Sequence, residues 1–335
     1  MGKTDIANRL NTMARLATEG IHEIPPLIEQ MLADKIACVL YDRSFIPGVF
    51  ASKVLHLPAI QLNPSFAMNE QSFRMMASRA TEDSRPSPQL WAALDEDLGR
   101  ECEAYNLPRL SFRELMASQA NLHIVFVPRA FQPASETFDE HYVFIGPSLP
   151  ALRKDSAELP AQWRKPGPLL YISLGTAFND WSDFYRMCFE AFAQSEWQVV
   201  LSFGRRIDPA DLPEPPANFL LAPHVPQLEV LAQADLFISH GGMNSTMESL
   251  WFGVPLVVVP QMVEQEMNAR RVQELGLGLM LEKETLTPEK LQAAVAQMAK
   301  DTSFPARVQE MQQAMRQAGG AQRAAEEIMH YVKKA

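Results

Sequence analysis

Short apolar runs alternate along this chain with longer stretches in which apolar residues recur every three or four positions. Ile36–Tyr41, Ala59–Leu62, Leu122–Val127 and Val143–Pro147 are short, apolar and bounded by Pro, Asp or Asn, so each is predicted as a strand. Helical spacing occupies Asp5–Ala17, Ile28–Ala33 and Gln89–Tyr105. From Pro150 the chain turns polar, proline-bounded and aperiodic, and 150–167 is predicted as a linker.

Beyond it the alternation is cleaner. Leu169–Leu174, Gln198–Ser202, Phe219–Leu221, Leu236–Ser239 and Leu256–Val259 are predicted strands. Ser182–Gln194, Asn244–Trp251, Glu264–Leu275 and Pro288–Lys300 are predicted helices, and Ala321–Lys333 closes the chain as an amphipathic one. Gly276-Leu-Gly278 is predicted as a turn. Alternating strand and helix implies parallel sheets with helices on both faces. The expected architecture is α/β with two doubly wound units facing a cleft: residues 1–149, then 168–335 including the closing helix. Ligands of open α/β sheets sit beyond the carboxyl ends of the strands. The residues that follow strands are therefore the ones to examine.

Composition narrows the field. A length of 335 residues suits two domains, and 47% hydrophobic with 21% charged residues is that of a folded globular chain. The formal net charge is -10, with no Lys/Arg stripe, so nucleic acid is an unsuitable partner. The cysteines, Cys38, Cys102 and Cys188, are odd in number and far apart. They suggest neither a disulfide framework nor a zinc site, and a cytoplasmic, reducing setting is expected. No apolar run reaches the ~18 residues of a membrane span, and the first residues lack a secretory apolar segment. Phosphate-loop, zinc-protease and serine-hydrolase motifs are all missing from the sequence.

The densest chemistry lies at 237–248. A buried strand runs into His240, the pair Gly241-Gly242, and then a helix containing Asn244, Ser245 and Glu248. Glycines admit close approach of backbone to ligand. The helix start offers unpaired N–H groups and partial positive charge, which suits a diphosphate. His240, Asn244 and Ser245 add hydrogen-bonding groups, and Glu248, one turn on, is an acceptor suited to ribose hydroxyls. The plain alternative is a capped helix beside a core histidine.

The flanks extend this pattern. His224-Val-Pro-Gln227 lies upstream; Gly253-Val-Pro255 and Glu264-Gln265 lie downstream. From His224 to Gln265 the order and spacing resemble the signature of the UDP-dependent glycosyltransferases, including its plant secondary-product version. The resemblance is strongest to the bacterial macrolide-type enzymes. It extends over the whole chain, through Ser173–Phe178, Gln132–Pro147 and Gly319-Gly320-Ala321. It implies a GT-B-like fold. It also implies that His240, Gly242, Asn244 and Ser245 hold the diphosphate, Glu248 the ribose, Val225 and Gln227 the uracil, and Glu264 and Gln265 the sugar hydroxyls. Ser173 and Thr176 would face the cleft from the first loop of this unit. His224 stands where the plant pattern has a stacking Trp.

The resemblance further implies an inverting transfer of glucose from UDP-glucose to a hydroxyl of a small hydrophobic acceptor, with no metal and no other cofactor. In such enzymes a histidine takes the acceptor's proton and an Asp orients it. Asp42, at the end of a predicted strand, fits the orienting role. The base is expected to be missing. His22, in a His-x-x-Pro segment, is only 20 residues before Asp42, while His56, His123 and His141 suit surface or core roles. A first domain lacking its opening part is therefore expected, with poor transfer as the consequence. A UDP-sugar-binding protein without turnover is the main alternative, and a nucleotide-sugar epimerase the lesser one.

Overall fold

The predicted alternation resolves into two α/β units. A computed structural model describes residues 18–42, 45–69, 71, 88–117, 120–149, 167–176 and 179–334, without the side chains of 113, 116 and 117. The predicted helix Asp5–Ala17 and linker residues 150–166 lie outside these. One unit comprises Met1–Gly146 with Ala318–Ala335, the other Pro147–Gln317.

In the first unit β1 (Val39–Asp42), β2 (Ala59–Asn63), β3 (Leu122–Val125) and β4 (Tyr142–Phe144) pair in chain order, all parallel. A parallel sheet covered on both faces needs apolar residues throughout, and β3 and β4 are buried at every position. Helices α1 (Ile24–Ala33), α2 (Ile46–Val54), α3 (Pro88–Ala104) and α4 (Phe112–Ala117) enclose a core that includes Ile24, Phe50, Leu94 and Leu98. The first strand differs from its prediction. It begins at Val39 rather than Ile36, and it is not buried throughout: Ile36 is 38% and Leu40 44% exposed. The cause is topological, because β1 ends the described sheet and pairs only with β2 among the described strands.

In the second unit β5 (Leu169–Ser173), β6 (Gln198–Ser202), β7 (Phe219–Ala222), β8 (Leu236–Ser239), β9 (Leu256–Val258) and β10 (Gly278–Met280) are again all parallel. Their spatial order is β10-β9-β8-β5-β6-β7. The winding therefore reverses between β5 and β8, the topological switch point of a doubly wound sheet. Gly276 does form the predicted turn, with φ +64°, but Gly278 already belongs to β10.

Between the strands run α5 (Ser182–Phe192), α6 (Gln227–Leu231), α7 (Met243–Trp251) and α8 (Val263–Glu274), and after β10 come α9 (Pro288–Lys300) and α10 (Ser303–Gln317). Pro288 opens α9 behind Thr287, whose side chain accepts from the Lys290 N–H, the start signal that made this helix legible. Leu170, Ile172, Leu236 and Ile238 share one core with Phe184 and Phe192 of α5 and Leu291 and Val295 of α9. Side chains alternate along a strand, so Tyr171, Ser173, Phe237 and Ser239 point the other way. On that side Tyr171 stacks on Phe237 with ring centroids 4.6 Å apart, and α7 packs on β8.

The closing helix, α11 (Gly320–Lys334), is as amphipathic as predicted but belongs to the first unit, not the second. Ala324, Ile328, Tyr331 and Val332 cover Ile60, Leu122, Ile124, Val143 and Ile145 of the first sheet. The Gly320 N–H donates to the Ile145 carbonyl at 2.8 Å. An apolar helix face goes where apolar surface is open, and periodicity alone does not say which sheet offers it. Among the described residues no helix is long and apolar enough to cross a membrane, and no group of three His, Cys, Asp or Glu could hold a metal ion.

Candidate functional site

The two strands at the switch point end alike. Ser173 and Ser239 are register partners on β5 and β8, and each begins a Ser-x-Gly turn. The Gly175 N–H donates to Ser173 Oγ at 3.2 Å, and the Gly241 N–H donates to Ser239 Oγ at 3.1 Å. Gly175 and Gly241 have φ of +76° and +82°, a region that residues with a Cβ rarely adopt. Space imposes glycine too. A Cβ on Gly175 would lie 2.6 Å from His240 Cε1, one on Gly242 would lie 2.5 Å from His240 Nε2, and one on Gly241 would lie 2.5 Å from Val258 Cγ1. The imidazole of His240 is thus packed against glycines of both turns.

Gly242 is the N-cap of α7 and brings no capping side chain, and the first turn of α7 carries no acidic residue. The opening N–H groups of a helix lack intrahelical acceptors and carry its positive pole. Here they lie just beyond the carboxyl end of β8. Burial holds the His240 imidazole down at about 4, against a smaller pull from the Ser173 backbone. His240 is therefore neutral near pH 7. Its Nδ1 is buried with no hydrogen-bond partner among the described residues.

A second group of side chains joins β5, α6 and α7. The Tyr171 hydroxyl donates to Gln227 Oε1 at 3.0 Å, and Gln227 Nε2 donates to Ser245 Oγ at 3.2 Å and to Glu248 Oε2. Gln227, Ser245 and Glu248, predicted from separate motifs, are thus bonded to one another. Burial raises the Glu248 carboxyl above its ordinary range, and the Gln227 amide partly offsets this. Burial likewise pushes the Tyr171 phenol well up, so it stays a donor.

The remaining predicted residues fall into three placements. Thr176, Asn244 and Glu264 are exposed, the last in the first turn of α8. Val225, Ser173 and Gln265 are 2%, 5% and 5% exposed. Ser173 is the last residue of β5 rather than part of a loop, and its hydroxyl is engaged by its own turn. Gln265 Oε1 accepts from the Gln261 N–H at 2.8 Å, while the Gln265 backbone carbonyl lies beside Gly241. Asp42 is the final residue of β1, at the carboxyl end of the first sheet. His22 is exposed at the end of a helical stretch and follows no described strand. Sequence reasoning missed Ser239 and Tyr171. The repeat of Ser-x-Gly at two strand ends signals the first. The second shares a strand face with Ser173, two residues on.

The site can be set beside known proteins. Residues 186–331 match the family model "Erythromycin biosynthesis protein CIII-like, C-terminal domain". The chain is 45% identical over 319 residues to the NDP-glycosyltransferase YjiC of Bacillus subtilis (strain 168), covering 95% of this chain and 79% of that one. It is 30% identical over 338 residues to the oleandomycin glycosyltransferase of Streptomyces antibioticus, covering 98% and 74%. The crystal structure of CalG4, the calicheamicin glycosyltransferase, superposes with a TM-score of 0.85 at 31% identity, over 98% of this chain and 83% of that one. With this likeness along nearly its whole length, and with two α/β units of the GT-B class, the chain belongs to the family of nucleotide-diphosphate-sugar glycosyltransferases.

Proposed function

We propose that the donor is UDP-glucose and that the glucose passes, with inversion, to a hydroxyl of a small hydrophobic acceptor. The observation that carries the donor half is the α7 start at the switch point, with glycines against His240 and N–H groups free of any side-chain cap. In this reading the diphosphate lies on His240, Gly242, Asn244 and Ser245, with Ser173 and Thr176 at the neighbouring turn. Glu248 accepts from the ribose hydroxyls. Val225 and Gln227 border the uracil, beside His224. Glu264 and the amide of Gln265 read the sugar hydroxyls.

At the sugar C1 one bond forms and one breaks, and one proton moves from the acceptor hydroxyl to a base. The acceptor oxygen loses its proton and attacks the sugar C1 from the face opposite the diphosphate; the C1–O bond to UDP breaks, and UDP leaves with that electron pair. Backbone N–H groups at the α7 start meet the developing charge on the leaving diphosphate, so the scheme requires no metal. The proton passes to a histidine base that Asp42 would orient, as the family resemblance implies; no residue of this chain is assigned as that base. The three cysteines are free, Cys102 and Cys188 fully buried, and on that ground we assign the chain to the cytoplasm.

The sugar preference tests the reading. A carboxylate-bearing sugar would face Glu264 as a like charge, and groups that read hydroxyls discriminate because the wrong partner leaves them unpaired. In a displacement titration UDP-glucose should bind more tightly than UDP-glucuronate. Tighter UDP-glucuronate binding would overturn the assignment of Glu264.

A further inference from the structure

The two Ser-x-Gly turns share one more feature, contributed by residues far from either in sequence. Asn268, fully buried on α8, donates from Nδ2 to the Gly241 carbonyl at 2.8 Å. Asn179, 2% exposed, donates from Nδ2 to the Gly175 carbonyl, also at 2.8 Å. Each turn glycine therefore has its N–H bonded to the preceding serine and its carbonyl bonded to a buried asparagine. In both asparagines Oδ1 is buried with no partner among the described residues.

That pairing matters energetically. A buried acceptor left without a partner is destabilising, and an apolar residue of similar size would avoid that cost. The same unfavourable arrangement occurs at both turns. What the two asparagines supply in return is the same: an amide donor that fixes one peptide group. Fixing Gly241 sets the direction of the N–H groups that follow it into α7. Fixing Gly175 holds the wall against which the His240 ring rests, 2.6 Å from where a Cβ would stand.

We propose that Asn268 and Asn179 are positioning residues, which hold the two turns so that the α7 start and His240 are aimed at the donor's diphosphate before it arrives. Preorganised donors contribute more than ones that must be ordered on binding. The inference rests on the diphosphate assignment above, and its test separates the two. UDP and uridine are titrated into the full chain and its variants, with NMR chemical shifts following the weaker ligand. Asn268→Asp and Asn179→Asp keep size but turn an oxygen toward the carbonyl. Each should weaken UDP roughly tenfold, the effect of about 1.4 kcal/mol, and leave uridine unchanged. Equal weakening of UDP and uridine would mean a structural role only and would overturn the proposal, as would no weakening at all. If an aspartate variant does not fold, Asn268→Ala and Asn179→Ala should show the same selective loss to a smaller extent. His240→Ala is the control. If it leaves UDP binding intact, the diphosphate assignment itself fails; if it weakens UDP while the asparagine variants do not, only the positioning role fails.

Discussion

The two units differ in where buried polar side chains lack partners. In the first, several beside the sheet are paired, while Trp91 Nε1 on α3 is buried with no partner among the described residues. Gln61 Nε2 donates to Asn63 Oδ1 at 2.8 Å, and Gln132 brackets Ala67, accepting from its N–H at 2.9 Å and donating to its carbonyl at 3.1 Å. At the switch point of the second, partners run out. His240 Nδ1, Thr246 Oγ1, Gln261 Nε2 and Asn268 Oδ1 are all buried and unbonded among the described residues. Topology accounts for the contrast. The described strands β1-β2-β3-β4 follow one another without reversal, whereas β5 and β8 diverge and leave two turns and a helix start side by side. Satisfied polar groups hold a fold together. Those unsatisfied at the switch point lie beside the turns and the helix start that the proposed donor site assigns to the diphosphate.

The sharpest way to break that comparison is to delete polar groups from each unit. Hydrogen bonds to charged groups are worth about 1.5–3 kcal/mol each. His240→Ala with Ser245→Ala should therefore weaken UDP by roughly a hundredfold or more, with little change in stability. Gln132→Ala should do the reverse, lowering stability by about 1–3 kcal/mol with unchanged UDP affinity. Calorimetry and chemical denaturation on both variants check the exchange of effects.

A smaller effect follows from the burial of His240. Its ordinary value of 6.5 falls to about 4 in the folded chain. Below pH 6.5 the unfolded chain takes up a proton that the folded chain refuses, so stability is lost as pH drops from about 6.5 to about 4. The full loss is roughly 3 kcal/mol. Above 6.5 this residue adds no pH dependence. Urea denaturation of the parent and His240→Ala across that window should show the loss in the parent alone; parallel curves would refute it.

The smallest expected effect sharpens the division of labour within the site. Tyr171→Phe removes the hydroxyl that fixes the Gln227 amide. A neutral hydrogen bond is worth about 0.5–1.5 kcal/mol net, so uridine and UDP should both weaken severalfold with their ratio unchanged. A selective loss of UDP would place Tyr171 with the diphosphate turns instead of with the base and ribose.

Much of this was legible from sequence, for identifiable reasons. Gln198–Ser202, Leu236–Ser239 and Pro288–Lys300 have the predicted bounds, because buried parallel strands are continuous apolar runs and Thr287-Pro288 marks a helix start. Gln227, Ser245 and Glu248 are each singled out by the signature, but the hydrogen bonds that join them through Gln227 emerge only in the folded chain. Other features depend on contacts that sequence order does not encode. Strand β10 is three residues long and begins on a glycine, too short for periodicity to register. The destination of α11 depends on which sheet lacks cover. The inward turn of Ser173 and the role of Gln265 Oε1 come from local hydrogen bonding that a motif does not specify. Asn179 lies in the connection before α5 and Asn268 on α8, and only the folded β5–β8 junction brings their amides to equivalent peptide groups.

The central claim is that the donor's diphosphate rests at the β5–β8 switch point, and its location in a crystal structure of the chain with UDP tests this most directly. The account predicts phosphate oxygens within about 2.7–3.2 Å of backbone N–H groups of residues 242–245, with Ser245 and His240 in reach. A diphosphate bound elsewhere in the chain, with the turns at Gly175 and Gly241 empty, would contradict it.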